Sequence, residues 1–222
     1  MRWLIALAIF VIFLALSAKV VTKDPVDQSA DKDQIKVFFA ADTFDAEGYV
    51  NTIWGERILP YMREHAVDLR TLIDAVKADE KTAGEKYGYR AVAEQNPYNF
   101  SVKSKIKILS ANIKSRNGRA EADVEPFDGE PDITIQLGPI YKGTSLRDCL
   151  DFVTFDDFKN QVEFAKLATQ LSQYAGAQSV APLGLREDGG VGKVFELLGA
   201  TTQNGGNTHF NVVPVSLAPA EE

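Results

Sequence analysis

A chain of 222 residues with 45% hydrophobic and 25% charged side chains carries enough apolar material for a packed core and is not a disordered polymer. Its net charge of −7 disfavours binding to nucleic-acid phosphates, which draws on lysine and arginine and on counterion release. The single cysteine, Cys149, excludes an intrachain disulfide and a cysteine-based metal cluster.

Arg2 is followed by an uncharged apolar run from Trp3 to Ala18, then by Lys19 and the polar Thr22-Lys23-Asp24-Pro25. This is the form of an export signal or a membrane anchor. As a helix the run spans about 24 Å, short of a hydrocarbon core of about 30 Å; extension to Val21, with Lys19 snorkelling, closes the gap. Cleavage after Ser17 is the other reading. In both, the bulk of the chain lies outside the inner membrane, either tethered through residues 3–21 or released. The pattern divides the chain into a signal peptide or anchor at 1–22, a linker at 23–39, a helical subdomain at 40–95, a barrel at 96–218 and a tail at 219–222.

Thr43 is placed to cap the first helix, with Asp45 and Glu47 favourable in its first turn. Tyr49, Ile53, Trp54 and Ile58 share one face as far as Pro60, where the missing amide donor predicts a kink. Val67, Leu69, Leu72, Ile73 and Val76 make a second amphipathic segment, and Lys77 to Tyr87 a polar third one ending at Gly88. Trp54 and Tyr61 are either core aromatics or the wall of a ligand groove.

Strand alternation begins after Asn96-Pro97. Phe100, Val102, Ile106 and Ile108 share one face with lysines between them; then the apolar set shifts to Leu109, Ala111 and Ile113, which predicts a bulge near Ile108 to Ser110. Asn117-Gly118 predicts a two-residue type I′ hairpin turn that sets Lys114 opposite Glu121. Ala120, Ala122 and Val124 line the return strand, and Ile133, Ile135 and Leu137 a third strand ending at Gly138-Pro139. A polar turn at Gly143-Thr144-Ser145 leads to a helix at about 154–175, with Thr154 as its cap and Asp156 and Asp157 in its first turn. Two further strands, near 193–201 and 208–217, flank Asn204-Gly205-Gly206-Asn207, and Pro214 requires an edge or a bulge.

Three strands in a meander, a helix and a final hairpin predict an α+β chain with an OB-like five-stranded β-barrel, one end plugged by the helix. An open α+β sheet with helices on one face is the competing architecture.

No cofactor motif is present. Gly189-Gly190-Val191-Gly192-Lys193 lacks the Ser/Thr and the spacing of a phosphate loop. Asp148, Asp151, Asp156 and Asp157 are explained better by helix capping than by a cation, and His65 and His209 have no ligand-forming neighbour in sequence. Cys149, flanked by Asp148 and Asp151, reads as a core residue and not a nucleophile. The basic patch of Lys103, Lys105, Lys107, Lys114, Arg116 and Arg119 reads as cross-strand pairing. The best candidate ligand site is the turn Gly143, Thr144, Ser145 with Arg147, an anion cradle of backbone donors, hydroxyls and guanidinium or else an internally braced cap; Trp54 is the aromatic candidate.

Trp54 with Ile58-Leu59-Pro60, Ala66-Val67-Asp68-Leu69, Gly138-Pro139 with Gly143 to Asp148, and Phe155-x-x-Phe158-x-Asn160-Gln161 resemble a family of predicted periplasmic lipoproteins of bacteria, often encoded beside sugar ABC-transporter genes. The resemblance covers about Lys19 to Ala175. It implies an OB-type barrel with added helices and service to a sugar ABC transporter, with no reaction or ligand established. Similar members carry a lipobox ending in cysteine; here Leu16-Ser17-Ala18 is followed by Lys19, which cannot take a diacylglyceryl thioether and favours an uncleaved anchor. The expectation is a non-catalytic periplasmic protein without nucleic-acid partners, accessory to a transporter; a small-molecule or anion binding module is second and an envelope enzyme third.

Overall fold

The computed structural model describes residues 44–91 and 95–221. The expected anchor, the linker and Thr43 lie outside the described residues. The strands are β1 Val67–Asp68, β2 Asn99–Asn112, β3 Asn117–Val124, β4 Ile133–Pro139, β5 Val194–Thr202 and β6 Phe210–Ala220. β2 pairs antiparallel with β3 and with β5, β3 antiparallel with β4, β4 parallel with β6, and β6 antiparallel with β5. The circuit β2-β3-β4-β6-β5 returns to β2, the closed Greek-key order of an OB barrel, which excludes the open sheet.

Period-two alternation fills the interior. Ile106 and Ile108 of β2, Ala122 and Val124 of β3, Ile133 and Ile135 of β4 and Leu197 of β5 are all buried there. The parity change in β2 is a register shift between Ile108 and Ser110, after which Ala111 and Ile113 pack against the core, as the pattern predicts. Pro214 likewise sits at a bulge, where the β5–β6 register shifts between Leu198 and Gly199.

The Asn117-Gly118 turn is not a two-residue hairpin. Both residues lie in β3, paired with Pro139 and Gly138, and Gly118 does not have a positive φ. Glycine is required there because a Cβ would stand 2.8 Å from the Gly138 carbonyl oxygen. The longer connection moves the register, so Glu121 faces Ser110 and not Lys114. Lys105 forms an ion pair with Glu125 at 3.7 Å.

The helices are α1 Ala46–Ile53, α2 Leu59–Glu64, α3 Leu69–Ala78, α4 Glu80–Tyr87, α5 Ser145–Asp148, α6 Gln161–Ser179 and α7 Leu185–Asp188. α1 is capped by Asp45, whose Oδ1 accepts from the Gly48 amide at 2.9 Å. The break foreseen at Pro60 is a π-helical turn, Trp54–Ile58, in which the Leu59 amide donates to the Trp54 carbonyl, five residues back, just before the proline that has no donor.

The helix expected at 154–175 is two elements. Thr154 caps a single 3₁₀ turn, Phe155–Asp157, through Asp157; the chain is extended at Phe158, and Asn160 caps α6 by accepting from the Val162 and Glu163 amides, each at 3.0 Å. Two good caps six residues apart compete for one start, and the second opens the run of apolar positions that find a wall to pack on.

α6 does not plug the barrel. Leu167, Leu171 and Ala175 cover the outer face of β5 and β6 at Leu198, Ala200, Val213 and Val215, so those strands are buried on both sides. One barrel end is closed by Leu69, Leu72, Ile73 and Val76 of α3; Val180, Leu183 and Leu185, following α6, join the same interior core. The helices from 46 to 87 therefore divide between two cores: α1 and α2 join the outer one and α3 and α4 the barrel interior.

The outer edge of β2 is occupied along its length. Tyr89 exchanges backbone hydrogen bonds with Asn99, β1 pairs with Val102 and Lys103, the Glu125 amide donates to Lys105, and β3 takes over at Ile106. Where β4 and β6 part, the Leu137 carbonyl accepts from Arg186 Nε at 3.1 Å and the Pro214 carbonyl from Ser179 Oγ at 3.1 Å.

Candidate functional site

The Gly143 turn is a brace. Gly143 is exposed at φ +86°, but its neighbours face inward. Thr144 Oγ1 donates to Asp148 Oδ2 at 2.5 Å, and the buried Ser145 hydroxyl donates to the Ala200 carbonyl at 3.4 Å. Arg147 donates from Nε to Asp148 Oδ1 at 2.7 Å and from Nη1 to the Phe164 carbonyl at 3.0 Å, and its guanidinium lies 3.7 Å from the centre of the Phe164 ring. Only 11% of the Arg147 side chain is exposed. The turn thus ties α5 to α6 and β5, the internally braced alternative. Trp54 is a core aromatic, 4.9 Å from Tyr174 between ring centres.

The acidic residues of this region disperse. Asp148 pairs with Arg147, Asp157 caps the 3₁₀ turn, and Asp151 and Asp156 are exposed. Hydrogen bonds from Thr154 hold the Asp157 carboxyl below the usual carboxylate range. Among the described residues no three His, Cys, Asp or Glu side chains form a metal-sized group. Lys193 pairs with Asp188 at 2.5 Å, so the glycine-rich loop turns its cation onto its own carboxylate.

The aromatic partner singled out with Trp54 has a different position. Tyr61 lines a cleft of about 450 Å³ together with His65, Tyr87, Tyr89, Asp151 and the buried Cys149. Tyr61 and His65 are one helical turn apart at the end of α2, so their rings stack at 4.0 Å and 21°. His65 Nδ1 lies 2.9 Å from the Tyr61 carbonyl, which can only accept, so Nδ1 carries the proton. Tyr61 meets Phe152 edge-on at 5.4 Å, and Arg57 lies 4.2 Å over the Phe152 ring. Gly88, between Tyr87 and Tyr89 in the lining of the same cleft, has no room for a side chain, because a Cβ there would lie 2.9 Å from the Gly84 carbonyl, Phe100 and Tyr98. Burial, and then the nearby Asp151 carboxylate, push the Tyr61 phenol up to about 12.

Cys149 forms part of this cleft wall from beneath. Its thiol meets the Leu146 carbonyl at 3.3 Å and Met62 Sδ at 3.5 Å, and burial, followed by Asp148, pushes it far above its ordinary range. Iodoacetamide at about pH 8 is expected to leave the native thiol unmodified and to label it after denaturation; rapid native labelling would contradict the burial. Because the folded thiol holds its proton while the unfolded one ionises near about 8.5, the unfolded state binds fewer protons above that pH. The Cys149 contribution to stability is therefore complete below about 8.5 and declines as pH rises beyond it.

A second polar cluster was not legible from sequence. His209 Nε2 lies 3.0 Å from both Glu121 Oε2 and Thr134 Oγ1, on the outer face of β3 and β4. His209 is solitary in the sequence because its partner Glu121 lies 88 positions away. Tyr87 and Tyr89 were missed as well, although two tyrosines flanking Gly88 after a polar helix are a signal of a shaped surface.

Comparison with known proteins agrees with the topology. The sequence profile of the family described as predicted periplasmic lipoprotein (DUF2291) matches residues 7–218. A crystal structure of an OB-fold protein from Thermotoga maritima superposes with a TM-score of 0.64 at 17% identity, covering 81% of this chain and 100% of that one, a likeness of fold. No curated protein sequence matches.

Proposed function

Because the chain belongs to the family of predicted periplasmic lipoproteins, whose place is the periplasmic side of the bacterial membrane, we propose that it is a non-catalytic envelope protein which holds a small polar molecule in the Tyr61 cleft. It is held at the membrane through residues 3–21 and serves a transporter, of the sugar ABC class that the family resemblance implies. The observation that carries the binding reading is the cleft itself: aromatic walls from three elements, charged groups at the rim and a volume of about 450 Å³ suit one small ligand. Among the described residues no helix is long and apolar enough to cross a membrane, so the tethering reading rests on the sequence of 3–21.

Pull-down of the full-length tagged protein from native membranes in mild detergent is expected to enrich a permease or a substrate-binding subunit over a control carrying only the anchor. Recovery equal to the control removes the accessory role. A panel of sugars, sugar acids, phosphates and amines that leaves the melting temperature unmoved removes the binding role.

A further inference from the structure

We infer that the Tyr61 cleft selects an organic cation, an alkylammonium compound, over a neutral polyhydroxylated one; the inference rests on the binding role proposed above. The polar groups at the floor of the cleft are already engaged inside the protein. Asn99 Oδ1 accepts from Thr202 Oγ1 at 2.6 Å and its Nδ2 donates to the Pro97 carbonyl at 3.3 Å. Ser101 Oγ donates to the Met62 carbonyl at 3.0 Å. A sugar, which needs many paired donors and acceptors when buried, gains little from these two side chains.

Besides the His65 imidazole and the phenol hydroxyls, two kinds of group line the cleft. The first is the electron-rich faces of tyrosines: Tyr61, Tyr87 and Tyr89 all line it. The second is carboxylate, from Glu64 and Asp151, against one ammonium, Lys86. Two carboxylates against one ammonium make the charge balance of these groups negative. Lys86 itself shows how the walls treat a cation: its Nζ lies 4.7 Å from the centre of the Tyr87 ring. A ligand ammonium placed between Asp151 and the tyrosines receives the same attraction, with the carboxylate added, and aromatic surfaces beside carboxylates are a recurrent solution for ammonium ions too weakly hydrated to be held by hydrogen bonds alone.

The test is isothermal titration of the full-length protein in neutral detergent with choline, spermidine and glucose, in the native sequence and in Asp151→Asn and Tyr89→Leu. Asp151 is exposed, so its replacement leaves the fold intact, and far-ultraviolet circular dichroism checks both variants. Binding of choline or spermidine, weakened roughly tenfold by Asp151→Asn and by added salt, with glucose silent, is the expected result. Glucose binding that Tyr89→Leu weakens and Asp151→Asn does not overturns the inference and leaves the cleft as a binding site. Silence of all three probes in a well-folded native protein overturns the inference; whether the cleft binds anything is decided separately by the melting panel above.

Discussion

Phe100→Ala is expected to lower the unfolding free energy by about 3–5 kcal/mol, with the melting temperature falling by roughly 6–20 °C for a protein of this size. Phe100 is fully buried, meets Phe210 edge-on at 6.2 Å and presses against the backbone at Gly88. It belongs to the same core as α3, so its removal leaves a cavity beneath the helix that closes this barrel end. Collapse into the cavity is resisted because β2 is locked to β5 from Asn99–Thr202 through Lys107–Val194. Urea unfolding of the variant and of a Phe100→Leu control measures the loss. A cost under about 1 kcal/mol would mean that the barrel end is loosely packed.

Arg147→Ala is expected to cost about 2–3 kcal/mol and to leave phosphate binding unchanged. Breaking a fully buried pair costs about 3–5 kcal/mol, and the partial exposure of this one, 11% for Arg147 and 27% for Asp148, lowers the figure through solvent screening. The variant removes the guanidinium from the Phe164 ring and carbonyl and leaves Asp148 with Thr144 alone among its named partners. Arg147→Lys restores little, since an ammonium cannot reproduce the planar fork. A variant of undiminished stability that loses a phosphate-dependent thermal shift would reinstate the turn as an anion site.

The barrel was legible because its strands are each apolar on one face over several residues. The switch from Ile106 and Ile108 to Ala111 and Ile113 located the bulge in β2 to within a residue. What was hidden depended on partners distant in the chain. Gly118 carried a turn signature, yet its glycine answers to the backbone of β4. Thr154 carried a cap signature, but the energy of α6 lies in packing against Val213 and Val215, which follow Thr154 by about sixty positions, and Asn160 is the cap that puts that face in register. The candidate site divided in the same way. Arg147 was visible as the cation of the turn, and its internal partners Asp148 and Phe164 fit the braced reading that sequence kept open. Tyr61 was visible as one of two aromatics, whereas Tyr89 gains its role only from the backbone bridge to Asn99 that sets it beside Tyr61.

The occupied strand edges constrain how this protein meets others. Many envelope complexes assemble by lending a strand to a neighbour's sheet, which needs a row of unclaimed amides and carbonyls. Along β2 those groups are taken by Tyr89, β1 and Glu125, and beside β4 and β6 by Arg186 and Ser179. At these positions a strand-donating protein has nothing to extend. At these edges, among the described residues, a neighbour meets side chains, where single substitutions at exposed positions can alter a contact without disturbing the barrel.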